Sequence, residues 1–545
     1  MSDAPTPGLH RRRAAVLALL LALGFAAVGG QLVRLGVQGG SLVRNEQVEP
    51  LGRSAARPDI VDRSGRLLAT DVAIPSLYVD PSRVLDRDEL IEKLAAALPG
   101  LDERQLAAAL ADPGRRFAWI RRGLSPEQAR DIHDLGLPGL AFRTELRRVY
   151  PAGEDAGHII GAVDGENHGT SGIERYLDAQ GLVDMADGAT RSTRPPIALS
   201  IDLSVQHAVR SELEQAQASY GAVAAAGLVL DATTGEVIAS VSLPDFPAGN
   251  AALSLEPDRL DRIAGGTYEL GSVLKTMTLA MAYEAGLIDD KRLYDVTHPL
   301  RVGASSIDDF HPAHQAMTAR EVFLHSSNIG AAMIADQAGE QRLRAFLERL
   351  GLTRQITTEL GSVPAPQLPA HWGRLSTMTV AFGHGIALSP LHFVASAAAL
   401  VNGGRVLSPT YLRAEAGERA AGKAIVSAPT VAFMRSLMSD VVTAEGGTGG
   451  RAAVRGYDVG GKTGTADIPG KGGYGHNGVL SSFLAAFPVH APRYVTYVLL
   501  WAPRGTEADG GTTAAGATAA PLTARIIARI APLLGLAPVY GGGRT

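Results

Sequence analysis

What most constrains this 545-residue chain is the placement of its strand-like segments. Ala224 to Leu230 and Val237 to Val241 are short apolar runs joined by a turn at Thr233-Thr234-Gly235. A second pair, Ser481 to Phe487 and Tyr494 to Ala502, comes far later in the chain. Short apolar runs between turn signals read as strands. Most of what lies between the pairs has helical spacing, and strands at both ends of a helical middle indicate an α+β domain. Gln206 to Gln217 reads as a helix before the first pair, and Pro521 to Leu534 as a helix after the second. The domain begins after Arg191–Pro196, a stretch of Ser, Thr, Arg and paired prolines, with a strand expected from Ile197 to Ile201.

Ahead of that boundary the pattern is mixed. Ile60-Val61 and Leu67-Leu68 flank an Asp-Arg-Ser-Gly turn and read as a hairpin. Asp86 to Leu98 places Leu90, Ile91, Leu94 and Leu98 on one helical face, and Gln105–Ala111 and Pro126–Leu135 also read as helices. Nothing in this part groups a nucleophile with a base, so a scaffold or interaction role is expected.

The N-terminus carries a different constraint. Arg11, Arg12 and Arg13 precede an uncharged run from Ala14 to Val33. As a helix, about 20 such residues span ~30 Å, the thickness of a bilayer core. The arginines would stay cytoplasmic and the rest of the chain would lie outside the inner membrane. A cleaved signal peptide is the alternative, but its apolar region is usually about 7–15 residues. The chain has no cysteine, which excludes disulfides, thiolate metal sites and a cysteine nucleophile. A formal net charge of −4 gives no reason to expect nucleic acid as a partner.

Three short stretches could carry chemistry. In Ser272-Val273-Leu274-Lys275, at the start of a helix expected to run to Ala285 with Gly286 after it, serine and lysine share a face. No charged residue lies between Lys275 and Glu284, so the helix is expected to be buried and the amine with it. Burial lowers a lysine pKa, and a neutral lysine beside a hydroxyl is a general base. Alone, this spacing also fits a capping serine followed by a solvated lysine. Ser326-Ser327-Asn328 lies on a tight connection between helices, where an ordinary helix cap would look the same. Lys462-Thr463-Gly464-Thr465 follows an apolar stretch and precedes a Gly-rich loop. Strand alternation puts Thr463 and Thr465 on one face, and Gly464 is expected to leave room for a substrate backbone. Together, and in this order, the three match the serine–lysine, Ser-x-Asn and Lys-Thr-Gly set of penicillin-binding proteins and class A β-lactamases.

The chain resembles a class B penicillin-binding protein over nearly its whole length after residue 34. Arg57, Ile60-Val61-Asp62-Arg63-Ser64-Gly65 and Leu68-Ala69 resemble the family's first N-terminal block, with Pro58 and Asp59 in place of its glycine region. Arg148-Val149-Tyr150-Pro151, His158, Gly161 and Gly172-Ile173-Glu174 resemble the pedestal motifs. Phe382-Gly383-His384-Gly385 with Ser389-Pro390-Leu391 resembles the division-type branch, ahead of the elongation type. The resemblance implies a cytoplasmic tail over 1–13, a transmembrane helix over 14–34, a pedestal over 35–195, a transpeptidase domain over 196–538 and a loose tail over 539–545. The transpeptidase domain is expected to pair an antiparallel sheet with a helical subdomain, as in serine β-lactamases.

By the same resemblance, Ser272 is acylated, Lys275 takes its proton, and Ser326, assisted by Lys462, passes a proton to the leaving D-alanine. Asn328 holds the peptide amide and Lys275. Thr463, Gly464 and Thr465 form the substrate strand. The oxyanion hole would be the backbone N–H groups of Ser272 and Thr465. No metal or cofactor is needed. The implied partners are peptidoglycan stem peptides and lipid-linked nascent glycan, β-lactam antibiotics, a SEDS-type glycan polymerase and divisome proteins. A β-lactamase-like sensor, a bifunctional synthase and an inactive scaffold are the competing readings. The anchor and pedestal weigh against the first. The short N-terminal part, without a Glu-Asp-x-x-Phe motif, weighs against the second. The intact serine–lysine set weighs against the third.

Overall fold

The structure is a computed structural model that describes residues 28–29, 53–112, 114–187, 190–414, 422–470, 478–507 and 510–540. The expected membrane span, apart from residues 28–29, and the tail after Tyr540 lie outside the described residues. Among those described, no helix is long and apolar enough to cross a membrane.

The chain divides into two compact units that do not follow chain order. Within the smaller unit, Arg87–Ala97 is a helix capped by Asp86, whose side chain accepts from the Asp88 and Glu89 amides. Capping of this kind satisfies N–H groups that have no partner inside the helix. Helices Glu103–Leu110 and Pro126–Asp134 complete the set read from periodicity, each one or two residues from its expected bounds. Their apolar faces supply Leu90, Leu94, Leu106, Leu110 and Ile132 to one core.

The larger unit joins residues 55–72 and 148–184 to everything from Arg191 onward. The elements that build its main sheet and its cleft include helix α1 (Leu203–Ser219), strands β1 (Ala224–Asp231) and β2 (Val237–Leu243), helices α2 (Lys275–Glu284), α3 (Ala319–Leu324), α4 (Asn328–Ala338) and α5 (Ala428–Thr443), strands β3 (Gly460–Asp467), β4 (Val479–Phe487) and β5 (Tyr494–Trp501), and helix α6 (Ala519–Leu533). The strands form one antiparallel sheet in the order β3-β4-β5-β1-β2. Thus the two early strands pair with the two late ones, and β3 is left at an edge.

The sheet is apolar on both sides because helices cover both. Ala225 and Val229 of β1 face α1 and α6 in a core with Val209, Leu213, Ile526 and Ile530. Leu228 and Leu230, one residue out of phase, face the helical middle with Leu274, Met277 and Leu279. This is the period-two alternation of a strand applied to two cores at once. The early hairpin is also present, with Ile60 opposite Ala69. The strand expected over Ile197–Ile201 is shorter than its sequence suggests. Only Ile197–Ala198 forms it, parallel to Ile60–Val61, and beyond it Leu199 makes a single bridge to Leu412.

A buried ionic cluster ties residues 55–72 to 148–184. Glu174 takes Arg57 Nε at 2.7 Å on one carboxylate oxygen and Arg148 Nε at 2.6 Å on the other. Arg57 also donates to Asp178 at 2.8 Å and Arg148 to Asp71 at 3.3 Å. Burial pulls the Arg148 guanidinium down, but Glu174 and Asp71 outweigh it and leave the group above its ordinary value.

Candidate active site

Ser272 lies in a 3₁₀ turn, Gly271–Leu274, that runs directly into α2. The turn is seated on β3 by glycines. Gly271 has φ +62°, and a Cβ there would lie 2.6 Å from the Thr465 carbonyl. A Cβ on Gly464 would lie 2.8 Å from the Leu270 carbonyl and 2.5 Å from Ser482 Oγ. Gly383 would meet the Gly271 backbone in the same way. The space beside Gly464 is therefore filled by the serine's own turn. Gly464 thereby seats that turn.

The serine–asparagine stretch sits between α3 and α4, as expected. Ser327 is the helix cap, accepting from the Gly330 amide at 2.9 Å. Its two neighbours are left to face the cleft. Ser326 adopts φ +61°, a conformation uncommon outside glycine and asparagine.

Lys275 joins the two stretches and is completely buried. Its Nζ lies 3.0 Å from Ser272 Oγ, 3.2 Å from Ser326 Oγ and 2.7 Å from Asn328 Oδ1, and it also contacts the Ser326 carbonyl. A carbonyl and an amide oxygen can only accept, so they occupy the two N–H groups of a neutral amine. The lone pair then faces the serine hydroxyls, which can donate. Burial drives the Lys275 pKa well below its ordinary value, the nearby Lys462 cation adds to this, and Asp309 partly opposes it.

Lys462 is equally buried, on β3. Its Nζ donates to Ser326 Oγ at 2.8 Å and lies 5.6 Å from the centre of the Phe323 ring. Burial brings its pKa down to about 7. Ser326 thus stands between two lysines that desolvation makes readily deprotonated. Thr463 and Thr465 share one face of β3 and line the cleft. Thr463 Oγ1 donates to Thr448 Oγ1 at 2.9 Å, while Thr465 Oγ1 accepts from the Ala515 amide at 3.2 Å.

All eight residues singled out from sequence are brought to one locality. Ser272, Ser326, Asn328, Thr463 and Thr465 open onto a cleft of about 410 Å³, whereas Lys275, Lys462 and Gly464 lie behind its wall. The cleft also contains residues that the sequence reading did not assign. Thr448 follows a pair of glycines, a signal that could have marked it as a close-approach loop. On the rim, Glu269 accepts from the Gly385 amide at 2.9 Å and pairs with His384 Nδ1 at 3.2 Å. Its hydrogen bond raises the His384 pKa against the effect of burial. Among the described residues, no cluster of three or more His, Cys, Asp or Glu is placed to hold a metal ion.

Comparison with known proteins agrees with this geometry. Residues 225–528 match the penicillin-binding protein transpeptidase domain, and residues 53–181 match the penicillin-binding protein dimerisation domain. The chain is 39% identical over 492 residues to the probable peptidoglycan D,D-transpeptidase FtsI of Caulobacter vibrioides, covering 89% of this chain and 82% of that one. It is 29% identical to the peptidoglycan D,D-transpeptidase FtsI of Escherichia coli K12, covering 85% and 82%. A crystal structure of a peptidoglycan synthetase from Bifidobacterium adolescentis shares the fold, with a TM-score of 0.68 at 20% identity over 90% of this chain and 97% of that one.

Proposed function

This chain belongs to the class B penicillin-binding proteins, with a dimerisation and a transpeptidase domain, and from that premise we propose that it is a septal peptidoglycan D,D-transpeptidase working through a Ser272 acyl-enzyme. The observation that carries the reading is the Lys275 amine, completely buried and 3.0 Å from Ser272 Oγ, beside two oxygens that can only accept, the Ser326 carbonyl and Asn328 Oδ1. Ser272 Oγ attacks the carbonyl of the penultimate D-alanine, and its proton passes to Lys275. The backbone N–H groups of Ser272 and Thr465 receive the oxyanion, an interaction that typically contributes a factor of ~10²–10³ per donor. Collapse of the tetrahedral intermediate breaks the peptide bond, and Ser326, between Lys275 and Lys462, delivers a proton to the departing D-alanine amine. Thr463 and Thr465 hold the terminal carboxylate, and Asn328 the donor amide.

An amine of a neighbouring stem then attacks the acyl carbon, releases Ser272 with its proton and leaves a new amide crosslink. A β-lactam enters as a mimic of the donor and leaves a slow acyl-enzyme. The septal assignment is supported by the FtsI-type relatives and by Phe382-Gly383-His384-Gly385. The domain order carried by this reading is a tail over 1–13, an inner-membrane helix over 14–34, a pedestal over 35–195 and a catalytic domain over 196–538 in the periplasm. The pedestal and anchor are the surfaces for a SEDS-type polymerase and divisome proteins. The test is labelling of the full chain with fluorescent penicillin followed by peptide mapping. Wild type carries the adduct on Ser272 and Ser272→Ala carries none. An adduct elsewhere, or equal labelling of both proteins, overturns the reading.

A further inference from the structure

The conformation of Ser326 needs a cause. A non-glycine residue at φ +61° is held there by its surroundings. This one must present both its hydroxyl and its carbonyl to Lys275. The flanking residues supply the anchor. Asp309, on the loop after the Ser305–Ile307 strand, receives Ser327 Oγ on Oδ2 at 2.6 Å. Its Oδ1 receives the Ile329 amide at 3.0 Å and the Asn328 amide in a shorter contact. One carboxylate thus gathers three donors from three consecutive residues, at the end of α4 where a negative charge is favoured. The same loop places the Asp308 carbonyl 3.1 Å from Asn328 Nδ2, which orients the amide so that its oxygen faces Lys275.

We infer that Asp309 is the positioning residue of the acylation machinery: its clamp on residues 327–329 fixes Ser326 and Asn328 against the Lys275 amine. The inference rests on the serine–lysine reading above and extends it to a residue that does not touch the reacting atoms. Asp309 also acts through its field. The charged groups that bear on Lys275 are Asp309 and Lys462, and the other titratable side chains of the cleft are Glu269, His311, His325, His384 and Asp467. Removing the Asp309 charge leaves burial and Lys462 less opposed, so protonation of Lys275 then requires a lower pH.

Two variants of the full-length chain separate geometry from field. Asp309→Asn is nearly isosteric, yet it loses the charge and places an NH₂ where Ser327 Oγ needs an acceptor. Ser327→Ala removes one clamp contact and keeps the charge. The acylation rate constant of the folded fraction is read from the time course of fluorescent-penicillin labelling, not from its amplitude, across pH 5 to 9. Asp309→Asn is expected to acylate ~10–100-fold more slowly, the range that sub-ångström misplacement of reacting groups produces, with its acid limb moved to lower pH. Ser327→Ala is expected to slow by a smaller factor with its limb unmoved. A residue that served only to stabilise the fold would lower the melting temperature and the labelled fraction without moving the rate constant or the limb, and that outcome overturns the inference. If Asp309→Asn does not fold, a wild-type rate constant in Ser327→Ala overturns it as well. Failure of the wild type to label at Ser272 would instead remove the serine–lysine premise.

Discussion

Arg57 and Arg148, like Lys275 and Lys462, are basic side chains cut off from water, yet the two pairs keep different company. The arginines meet Asp71, Glu174 and Asp178 directly, in contacts that use both oxygens of Glu174. Each guanidinium is therefore charged and held, and the cluster can do nothing but hold. Among the described residues, the lysines touch hydroxyls, carbonyls and an amide but no carboxylate; Asp309 influences Lys275 from beyond Asn328. Desolvation is then opposed only in part at Lys275, and the proton becomes easy to lose. A paired buried cation fixes structure, whereas an unpaired one acquires chemistry.

The sharpest way to break this contrast is to remove the lysine beside the serine. Lys275→Ala is expected to cut the acylation rate constant by ~10²–10⁴-fold, the usual scale of a general base, while circular dichroism and melting still report a folded chain. Near-normal penicillin labelling of this variant would mean that the amine is not the base. The opposite behaviour is expected in the arginine cluster. Glu174→Gln leaves two buried guanidiniums facing a neutral amide, and breaking a buried pair in this way typically costs ~3–5 kcal/mol. Denaturant titration should show that loss, with acylation per folded molecule unchanged within about twofold; a selective loss of acylation would show that the two clusters are not separate in role.

The last expectation concerns pH. Protonating Lys275 fills its lone pair, so acylation must fall as pH drops through the folded pKa of the lysine pair, by about tenfold per pH unit on the limb. Because both pKa values are lowered, Lys462 to about 7, the limb lies far below the ordinary lysine value of 10.5. Stopped-flow acylation from pH 5 to 11 reads it directly. A limb near 10.5 would place the amine in water and end the comparison.

Much of the site was legible because its chemistry is written in short local patterns. A serine and a lysine three apart on an uncharged helix already imply a shared face and a buried amine, and both are found. The cap read as the bland alternative for residues 326–328 is present too, taken by Ser327, and it is this cap that leaves Ser326 and Asn328 to the cleft. What the sequence did not reveal is non-local. Asp309 reads as one of two aspartates in a turn, and only the packing of its loop against α4 gives it three donors. The paired strands were found at nearly their true bounds, but their order was not, because both faces of the sheet are apolar and no alternation marks an inside. The Ile197–Ile201 run failed as a full strand because, past Ala198, its backbone bonds are divided between separate segments: the Leu199 amide donates to Val61, the Ser200 amide to Tyr411, and the Ile201 carbonyl accepts from Arg63.

The glycines at 271, 383 and 464 carry a consequence for antibiotic selection. Where main chain rests on main chain, no side chain can be added without unseating the nucleophile. A lineage under drug pressure therefore cannot thicken the floor of its target at these positions and still build wall. Change in the cleft is then left to the side chains of its lining, such as Phe310 and His384.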